Sequence, residues 1–212
     1  EGFDNRVVWS AFTDFDGTTF LGGTNSVAVS RGGRIVEVAG IPEGLSRPYA
    51  RVTTIGRSGQ DVLIGLYDDG LLRLDRGPRS FYRVDTGNRD LGINTIFNDK
   101  ATGMTLIGSS AGILDYKAGK ASVLKGPARI LNGISVTGLA RDSRNRLWVS
   151  TFGNGIFVFD GTFSKALHIG PRQLRSGIVR SLYRDSNGWI WILCPNTIYV
   201  AKDMPGGMKI VR

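Results

Sequence analysis

Five short apolar segments recur at a nearly constant interval along the 212 residues. Each segment is centred on one large apolar residue, and the steps between these residues are 43, 43, 42 and 43 positions. The residues are Phe20, Leu63, Leu106, Trp148 and Trp191. A period of roughly 40–50 residues built from strands and turns is typical of β-propeller blades. Because five units nearly fill the chain, the repeat predicts the whole architecture.

Each unit divides into four short strands rich in β-branched and aromatic residues. We therefore predict an all-β chain, a β-propeller of five four-stranded blades of about 43 residues in a single domain. The blades are expected at residues 1–40, 41–86, 87–126, 127–170 and 171–212. A closed five-bladed ring is favoured. The alternative is a partial segment of a larger, seven-bladed propeller.

The four strands of a unit differ in character. When the five units are aligned, one position of the first strand always holds a small residue, which suits a crowded innermost strand. The residues at this position are Ser10, Thr54, Thr95, Gly138 and Ser181. The fourth strand is weaker and more polar, as expected of an outer edge, and in the third unit it is predicted at 123–125. No helical periodicity extends over three turns, so the connections between blades are predicted as loops.

Composition excludes fewer classes of protein than the repeat does. The single cysteine, Cys194, excludes an internal disulfide framework. No apolar run approaches the roughly 18–20 residues that span a bilayer, so no membrane segment is expected in this chain. The chain begins at Glu1 without a signal-like segment, which indicates a processed protein or a fragment.

The formal net charge is +9, and the excess comes mainly from arginine. The arginines cluster along the sequence in two groups: Arg73, Arg76, Arg79, Arg83 and Arg89, and Arg172, Arg175, Arg180 and Arg184. A nucleic-acid site requires basic residues on one face, interleaved with stacking aromatic rings. The repeat instead scatters these arginines over outer strands, turns and both rims. A solvated surface is therefore favoured, and a basic surface for anions or an acidic partner is the alternative.

Residues 136–160 read Val-Thr-Gly-Leu-Ala-Arg-Asp-Ser-Arg-Asn-Arg-Leu-Trp-Val-Ser-Thr-Phe-Gly-Asn-Gly-Ile-Phe-Val-Phe-Asp. This segment resembles the two-component regulator propeller repeat, and residues 179–191 match the first half of the same pattern. The three earlier units match it more loosely. In the fifth unit the sequence Leu193-Cys194-Pro195-Asn196 replaces the Gly-Thr-x-x-Gly stretch of the pattern.

The resemblance implies a sensor. Such repeats usually form the periplasmic or extracellular input domain of bacterial receptors, several of which recognise carbohydrate fragments. We therefore expect a non-enzymatic propeller that binds a small-molecule or carbohydrate ligand. Output domains would lie elsewhere in a longer parent chain. The sequence does not indicate the oligomeric state.

A propeller ligand usually sits at the mouth formed by loops that enter the first strand and by loops between the second and third strands. Polar residues recur in these loops in several units, which predicts a polar mouth, although Asn and Asp are also ordinary turn residues. The predicted ligand-binding residues are Asn25, Arg51, Asp68, Asp69, Asn94, Ser110, Asn154, Arg180 and Asn196.

No catalytic, cofactor or metal site is predicted. The only histidine, His168, lies in a fourth strand and is expected at a blade edge, whereas Cys194 is expected to be a buried small residue. A propeller glycosidase or lyase remains an alternative, but glycoside hydrolysis needs two facing carboxylates, and Asp68 and Asp69 share one loop. A protein-interaction scaffold with a basic surface is the third function considered.

Overall fold

The computed structural model describes residues 7–75, 80–161, 163, 165–204 and 207–212. It contains five antiparallel sheets of four strands each, and the four strands of each sheet are adjacent in chain order. This confirms the predicted all-β fold of five four-stranded blades. The strands of the first three sheets are β1 (Ser10–Thr13), β2 (Thr19–Gly22), β3 (Ser26–Arg31), β4 (Arg34–Gly40), β5 (Val52–Ser58), β6 (Asp61–Leu66), β7 (Leu71–Leu74), β8 (Phe81–Arg83), β9 (Ile93–Asp99), β10 (Met104–Ser109), β11 (Gly112–Lys117) and β12 (Lys120–Val123).

The fourth and fifth sheets have the same order. Their strands are β13 (Val136–Arg141), β14 (Leu147–Thr151), β15 (Ile156–Phe159), β16 (Ala166–Ile169), β17 (Ser181–Arg184), β18 (Ile190–Cys194), β19 (Thr197–Met204) and β20 (Gly207–Val211). The described part of the chain contains no helix with the length and hydropathy of a membrane span.

The fourth strand of the third sheet lies earlier than predicted. It is formed by Lys120–Val123 rather than by residues 123–125. The reason is a two-residue turn, Ala118-Gly119, in which both residues have positive φ, 50° and 85°. Two positive φ values are the requirement of a type I′ hairpin turn, which starts the return strand at once. The sequence analysis placed the strand later because Val123 and Leu124 are the most apolar residues of the segment that follows this turn.

Two connections predicted as loops contain short helices. A 3-10 helix spans Gly126–Leu131, and α1 spans Pro171–Leu174. Each carries a proline at its start, where the missing N–H costs no hydrogen bond. Both are too short to produce the three turns of periodicity on which the sequence prediction relied.

The chain divides into two compact units. The first unit contains residues up to Ile107 together with Leu114–Ser122, and the second contains Gly108–Ile113 with Val123–Arg212. The division cuts through strands of the third sheet, after Ile107 in β10, before Leu114 in β11 and before Val123 in β12.

Within the first unit, neighbouring sheets pack face to face through apolar side chains. Phe20 and Val29 of the first sheet belong to one buried cluster with Ile55 and Ile64 of the second. On its opposite face the second sheet buries Leu63 in a cluster with the third sheet. The second sheet therefore has two apolar faces, and both are covered.

The second unit repeats this packing. Trp148, Ile156 and Val158 of the fourth sheet are buried in one cluster with Ile190 and Ile192 of the fifth sheet. The buried indole of Trp148 donates a 2.8 Å hydrogen bond to Asp142 Oδ2, which satisfies its polar atom. Blade-on-blade packing therefore supplies the core of each unit.

The second strands β2 and β6 each come very close to the first strand of the next sheet. A Cβ atom added to Gly65 would lie 2.5 Å from Ile93 Cγ2 and 2.6 Å from Thr54 Cγ2. A Cβ atom on Gly22 would lie 2.5 Å from Val52 Cγ1. These distances are too short for any side chain. The absence of a side chain at Gly22 and Gly65 is therefore required by the contact between neighbouring blades.

Hydroxyl groups connect the first strands of neighbouring sheets. Ser10 Oγ donates to the Val52 carbonyl at 2.8 Å, and Thr53 Oγ1 donates to the Ile93 carbonyl. In the second unit, Thr137 Oγ1 donates to the Val179 carbonyl. One type of bond thus recurs at three blade junctions.

Tyr116 reaches from the third sheet to the second. Its hydroxyl donates a 2.8 Å hydrogen bond to Asp61 Oδ2, and Asp61 also pairs with Arg73 at 3.3 Å. Burial, with the bond to Asp61 as the second cause, raises the pKa of Tyr116 to about 12. Charging this phenol is therefore costly in the folded chain.

We predict that Gly65→Ala destabilises the protein by about 1–3 kcal/mol, because the new methyl group overpacks the junction with Ile93. Gly40→Ala is the matched control, since Gly40 ends a strand and has nothing within 4 Å of its would-be Cβ atom. Denaturant unfolding of both variants measures the difference. Equal stabilities would contradict the close approach of the sheets.

We predict that alkaline unfolding depends on Tyr116. The folded pKa of about 12 lies above the unfolded value of about 10, so the stabilisation is full below pH 10 and is lost as the pH rises towards 12. Tyr116→Phe should cost about 1 kcal/mol at neutral pH and flatten the fall in stability above pH 10. Urea unfolding from pH 7 to 11.5 checks this, and an unchanged alkaline slope would contradict it.

Candidate functional site

In both units, the loop between the second and third strands of a blade lies beside the segment that enters the next first strand. In the first unit, Asn25 N donates to the Ala50 carbonyl at 2.8 Å, and Val52 N donates to the Gly23 carbonyl at 3.1 Å. In the second unit, Val179 N donates to the Thr151 carbonyl at 3.0 Å. The structure therefore brings together the two kinds of loop in which ligand-binding residues were predicted.

The first unit holds five of the predicted residues. Asn25 adopts a left-handed backbone conformation, and its buried Oδ1 has no hydrogen-bond partner among the described residues. Arg51 forms a bridge to Thr24, the residue before Asn25, so Asn25 and Arg51 lie on adjoining segments. Asp68 is exposed at a turn, and Asn94 is partly exposed in β9.

Asp69 has a different environment from its neighbour Asp68. Its carboxylate is buried, and Oδ2 accepts a hydrogen bond from the Arg47 backbone N–H. Arg83 Nη2 lies 3.6 Å from Oδ1, a distance for ionic attraction rather than for a hydrogen bond. Arg83 also donates to the Asp69 and Leu45 carbonyls. Asp69 therefore anchors the segment around Leu45 to the second sheet.

This anchor explains part of the first arginine group. Burial lowers the pKa of Arg83, and its like-charged neighbour Arg89 is the second cause. Arg89 donates to the Gly44 carbonyl at 2.9 Å, and Arg73 pairs with Asp61 at 3.3 Å. These arginines fix loops and strands. Arg76 and Arg79 lie outside the described residues.

The second unit holds the other four predicted residues, and all four are exposed: Ser110, Asn154, Arg180 and Asn196. The loop of Asn154 contacts the segment before Arg180, because Gly153 N and Gly155 N both donate to the Gly177 carbonyl. Asn196 lies in a two-residue turn between β18 and β19. The departure of the fifth unit from the repeat pattern thus corresponds to a shorter loop.

His168 and Cys194 lie where the sequence placed them. His168 is in β16, stacked on Phe157 at 4.5 Å, and its Nε2 lies 2.7 Å from the Asn154 carbonyl oxygen. Cys194 is buried, and this burial raises the pKa of its thiol. The described residues contain no group of three or more His, Cys, Asp or Glu side chains able to hold a metal ion.

Two aromatic residues at this end of the first unit were missed by the sequence analysis. The Arg51 guanidinium lies 4.2 Å from the centre of the Tyr67 ring and 5.2 Å from that of the Trp9 ring. Trp9 Nε1 donates to Thr24 Oγ1 at 3.2 Å. Trp9 and Tyr67 are 45% and 50% exposed. We call Trp9, Thr24, Arg51 and Tyr67 the Arg51 cluster.

The Arg51 cluster has a defined chemistry. A guanidinium that lies over aromatic rings uses its faces for cation–π attraction, which leaves the N–H donors at its edge for other partners. Among the described residues, no carboxylate pairs with the Arg51 guanidinium and no acceptor bonds to it. Within the part of the chain that the structure describes, the cluster therefore presents a positive charge without an anionic partner beside two exposed rings.

The signal for Trp9 and Tyr67 was present but weak in the sequence. Tyr67 immediately precedes Asp68, and Trp9 immediately precedes Ser10, the small residue of the first strand in the first unit. Aromatic residues in such strands are usually counted as core, and only the solvent exposure of these two distinguishes them.

Residues 130–153 and 173–196 match the family model described as "Two component regulator propeller". These two segments are similar to the two component regulator propeller repeat. The resemblance drawn from residues 136–160 and 179–191 is thus confirmed. No curated protein matches the chain by sequence.

Several solved structures share the fold. The extracellular domain of a putative hybrid two component system from B. thetaiotaomicron has a TM-score of 0.78 at 18% identity, over 100% of this chain and 29% of that one. The extracellular domain of a putative one component system from the same organism has a TM-score of 0.73 at 20% identity, over 98% and 28%. The chain thus spans less than a third of these relatives.

A third similar structure is that of a shorter chain than the two extracellular domains. Virginiamycin B lyase from Staphylococcus aureus has a TM-score of 0.67 at 12% identity, over 95% of this chain and 68% of that one. These likenesses establish the fold as that of β-propeller proteins and agree with the alternative of a partial segment of a larger propeller.

We predict that Asp69→Asn destabilises the protein by about 3 kcal/mol, because it leaves the partly buried Arg83 without its charge partner. Asp68→Asn is the matched control and should change the stability by less than about 0.5 kcal/mol, since Asp68 is exposed. Denaturant unfolding measures both. Faster tryptic cleavage after Arg47 should accompany the loss, and equal behaviour of the two variants would contradict the anchoring role.

Proposed function

We propose that this chain is a non-enzymatic, ligand-binding part of a sensory receptor located outside the cytoplasm. The ligand is a small molecule or a carbohydrate fragment. It binds at the loops that carry Asn25, Arg51 and Asp68 in the first unit. Output domains in a longer parent chain transmit the signal.

The Arg51 cluster is the observation that carries this proposal. The Arg51 guanidinium lacks a carboxylate partner among the described residues and lies close to two half-exposed rings, so its N–H donors are available to a ligand. The buried and unpaired Oδ1 of Asn25 adds an acceptor on the adjoining segment. Exposed rings suit the apolar face of a sugar or of another ring-shaped ligand.

The cluster also indicates the charge of the ligand. The edge of a guanidinium offers parallel N–H donors that match a carboxylate. A ligand that combines a ring with a carboxylate satisfies both the rings and the charge. We therefore expect an acidic saccharide, or a small molecule of the same chemistry, to bind better than a neutral one.

The comparisons support the sensory role. Two segments match the two component regulator propeller model, and the fold is shared with extracellular domains of receptor-type systems. The lyase shares the fold at 12% identity, and such a likeness carries no activity to this chain. The neighbouring carboxylates of Asp68 and Asp69 do not favour glycoside hydrolysis, since Asp68 is exposed whereas Asp69 is buried.

We predict that a uronate-containing oligosaccharide binds and quenches tryptophan fluorescence, and that Arg51→Ala weakens this binding about tenfold or more because a charge-assisted hydrogen bond is lost. Titration calorimetry and fluorescence measure the affinity, with the neutral oligosaccharide of equal length as the reference ligand. Arg34→Ala, an exposed arginine on the outer strand β4, is the control and should bind as the unmodified chain does.

The outcomes separate the alternatives. Binding that is equal in the two variants would place the ligand elsewhere on the protein. Cleavage of the oligosaccharide during the titration would favour the enzyme alternative. Failure of every acidic and neutral ligand in a broad panel would contradict the sensory proposal.

A further inference from the structure

The loop that enters β5 holds a tyrosine in a backbone conformation that tyrosine rarely adopts. Tyr49 has a φ of 63°, in the left-handed region. A bulky residue in this region is an outlier, because its Cβ atom crowds the neighbouring carbonyl oxygen. Tyr49 is also 84% exposed, so the folded chain gains little packing from its ring. Backbone strain and an uncovered aromatic ring thus coincide at one residue.

The strain belongs to a tight turn. Ala50 N donates to the Arg47 carbonyl at 3.2 Å, which closes a four-residue turn with Pro48 and Tyr49 at its centre. Proline suits the first central position of a type II turn, and the second central position requires a positive φ and favours glycine. Tyr49 therefore occupies the position of this turn that suits glycine best.

The fourth repeat contains the equivalent turn with a glycine in that position. A hydrogen bond of 2.9 Å closes the turn 131–134. Its central residues are Asn132, with φ −60° and ψ 128°, and Gly133, with φ 76°, which are the angles of a type II turn. Each turn ends two residues before the first strand of its blade, so Tyr49 and Gly133 are equivalent. The same turn thus forms elsewhere in this chain with the unstrained residue.

The turn that carries Tyr49 is fixed at both ends. At its start, Arg47 N donates to the carboxylate of the buried Asp69. At its end, the Ala50 carbonyl accepts the 2.8 Å hydrogen bond from Asn25 N. The ring of Tyr49 is therefore displayed on a held backbone, which reduces the conformational entropy that a ligand contact would cost.

The turn adjoins the Arg51 cluster in the first compact unit. Tyr49 precedes Arg51 by two residues, which separates their Cα atoms by at most about 7 Å. Among the described residues, the Arg51 guanidinium lies over the rings of Trp9 and Tyr67 and not over that of Tyr49. The ring of Tyr49 is therefore available to a different part of the ligand. Strained residues of this kind cluster at binding sites.

We infer that Tyr49 is a specificity-determining residue of the ligand site, and that the ligand is an acidic oligosaccharide of at least two rings. One ring carries the carboxylate that binds the Arg51 guanidinium. The apolar face of a neighbouring ring lies on Tyr49. The inference rests on the function proposed above and adds the class of ligand, an oligosaccharide rather than a single acidic sugar.

Thermal unfolding without ligand tests the strain. Tyr49→Gly should raise the Tm by about 1–3 °C, because glycine adopts a positive φ freely and the ring packs on little. Gly133→Ala is the matched variant and should lower the Tm by a similar amount, since its would-be Cβ atom has nothing within 4 Å and only the backbone is affected. A Tm lowered by Tyr49→Gly would show that the ring supports the fold, and would overturn the inference.

Two probes test the contact with the ligand. Galacturonate offers a single acidic ring, and trigalacturonate offers neighbouring rings. Tyr49→Gly should weaken the binding of trigalacturonate about fivefold or more, because a ring contact is lost, and leave that of galacturonate unchanged. Arg51→Ala should weaken both. Tyr49→Phe keeps the ring and should bind both probes as the unmodified chain does. Calorimetry measures the trisaccharide, and saturation-transfer NMR measures the weaker monosaccharide.

The outcomes distinguish this inference from the proposed function. If Tyr49→Gly binds trigalacturonate as the unmodified chain does while Arg51→Ala does not, the inference is wrong and the proposed function is supported. An equal loss of both probes in Tyr49→Gly would set Tyr49 against the same ring as Arg51 and overturn the assignment of two rings. Failure of both probes to bind the unmodified chain would overturn the inference together with the expectation of an acidic ligand.

Discussion

Each sheet of this protein is apolar on both faces, and this property governs the rest of the structure. A four-stranded sheet with two apolar faces is unstable alone and has to be covered on both sides by other sheets. The second sheet meets this requirement with Ile64 on one face and Leu63 on the other. The repeated apolar residues therefore lie at the contacts between neighbouring sheets. This explains why they recur, although the hydrogen bonds between strands form within each blade.

The same requirement limits where function is placed. Strand residues near the junctions have no room for a ligand, since even a methyl group on Gly65 would collide with Ile93. The loops at the strand ends are free of this restriction. One of them is fixed by the buried Asp69 and the partly buried Arg83, and the nearby Arg51 guanidinium lies close to two exposed rings. A rigid junction beside an adaptable loop is the usual arrangement of a binding site on a repeat scaffold.

Much of the fold was predictable from the sequence because the junction residues return at a fixed interval. The bounds of individual strands were less predictable where turn geometry decided them. The positive φ values of Ala118 and Gly119 moved β12 forward, and an alanine gives no sequence signal for such a turn. The helices at Gly126–Leu131 and Pro171–Leu174 are too short to produce periodicity. In the candidate site, the neighbours Asp68 and Asp69 looked alike in sequence and differ completely in burial.

The sequence by itself determined the number of repeated units, their four-stranded composition and the apolar character of both sheet faces, because these depend on local periodicity and residue type. Only the tertiary structure decided which chemically similar residues are covered. Trp148 and Trp191 occupy the same position of two repeats and make the same bond to an aspartate, yet one is buried and the other exposed. Burial depends on what packs against a side chain, and that neighbour lies a whole repeat away in the chain.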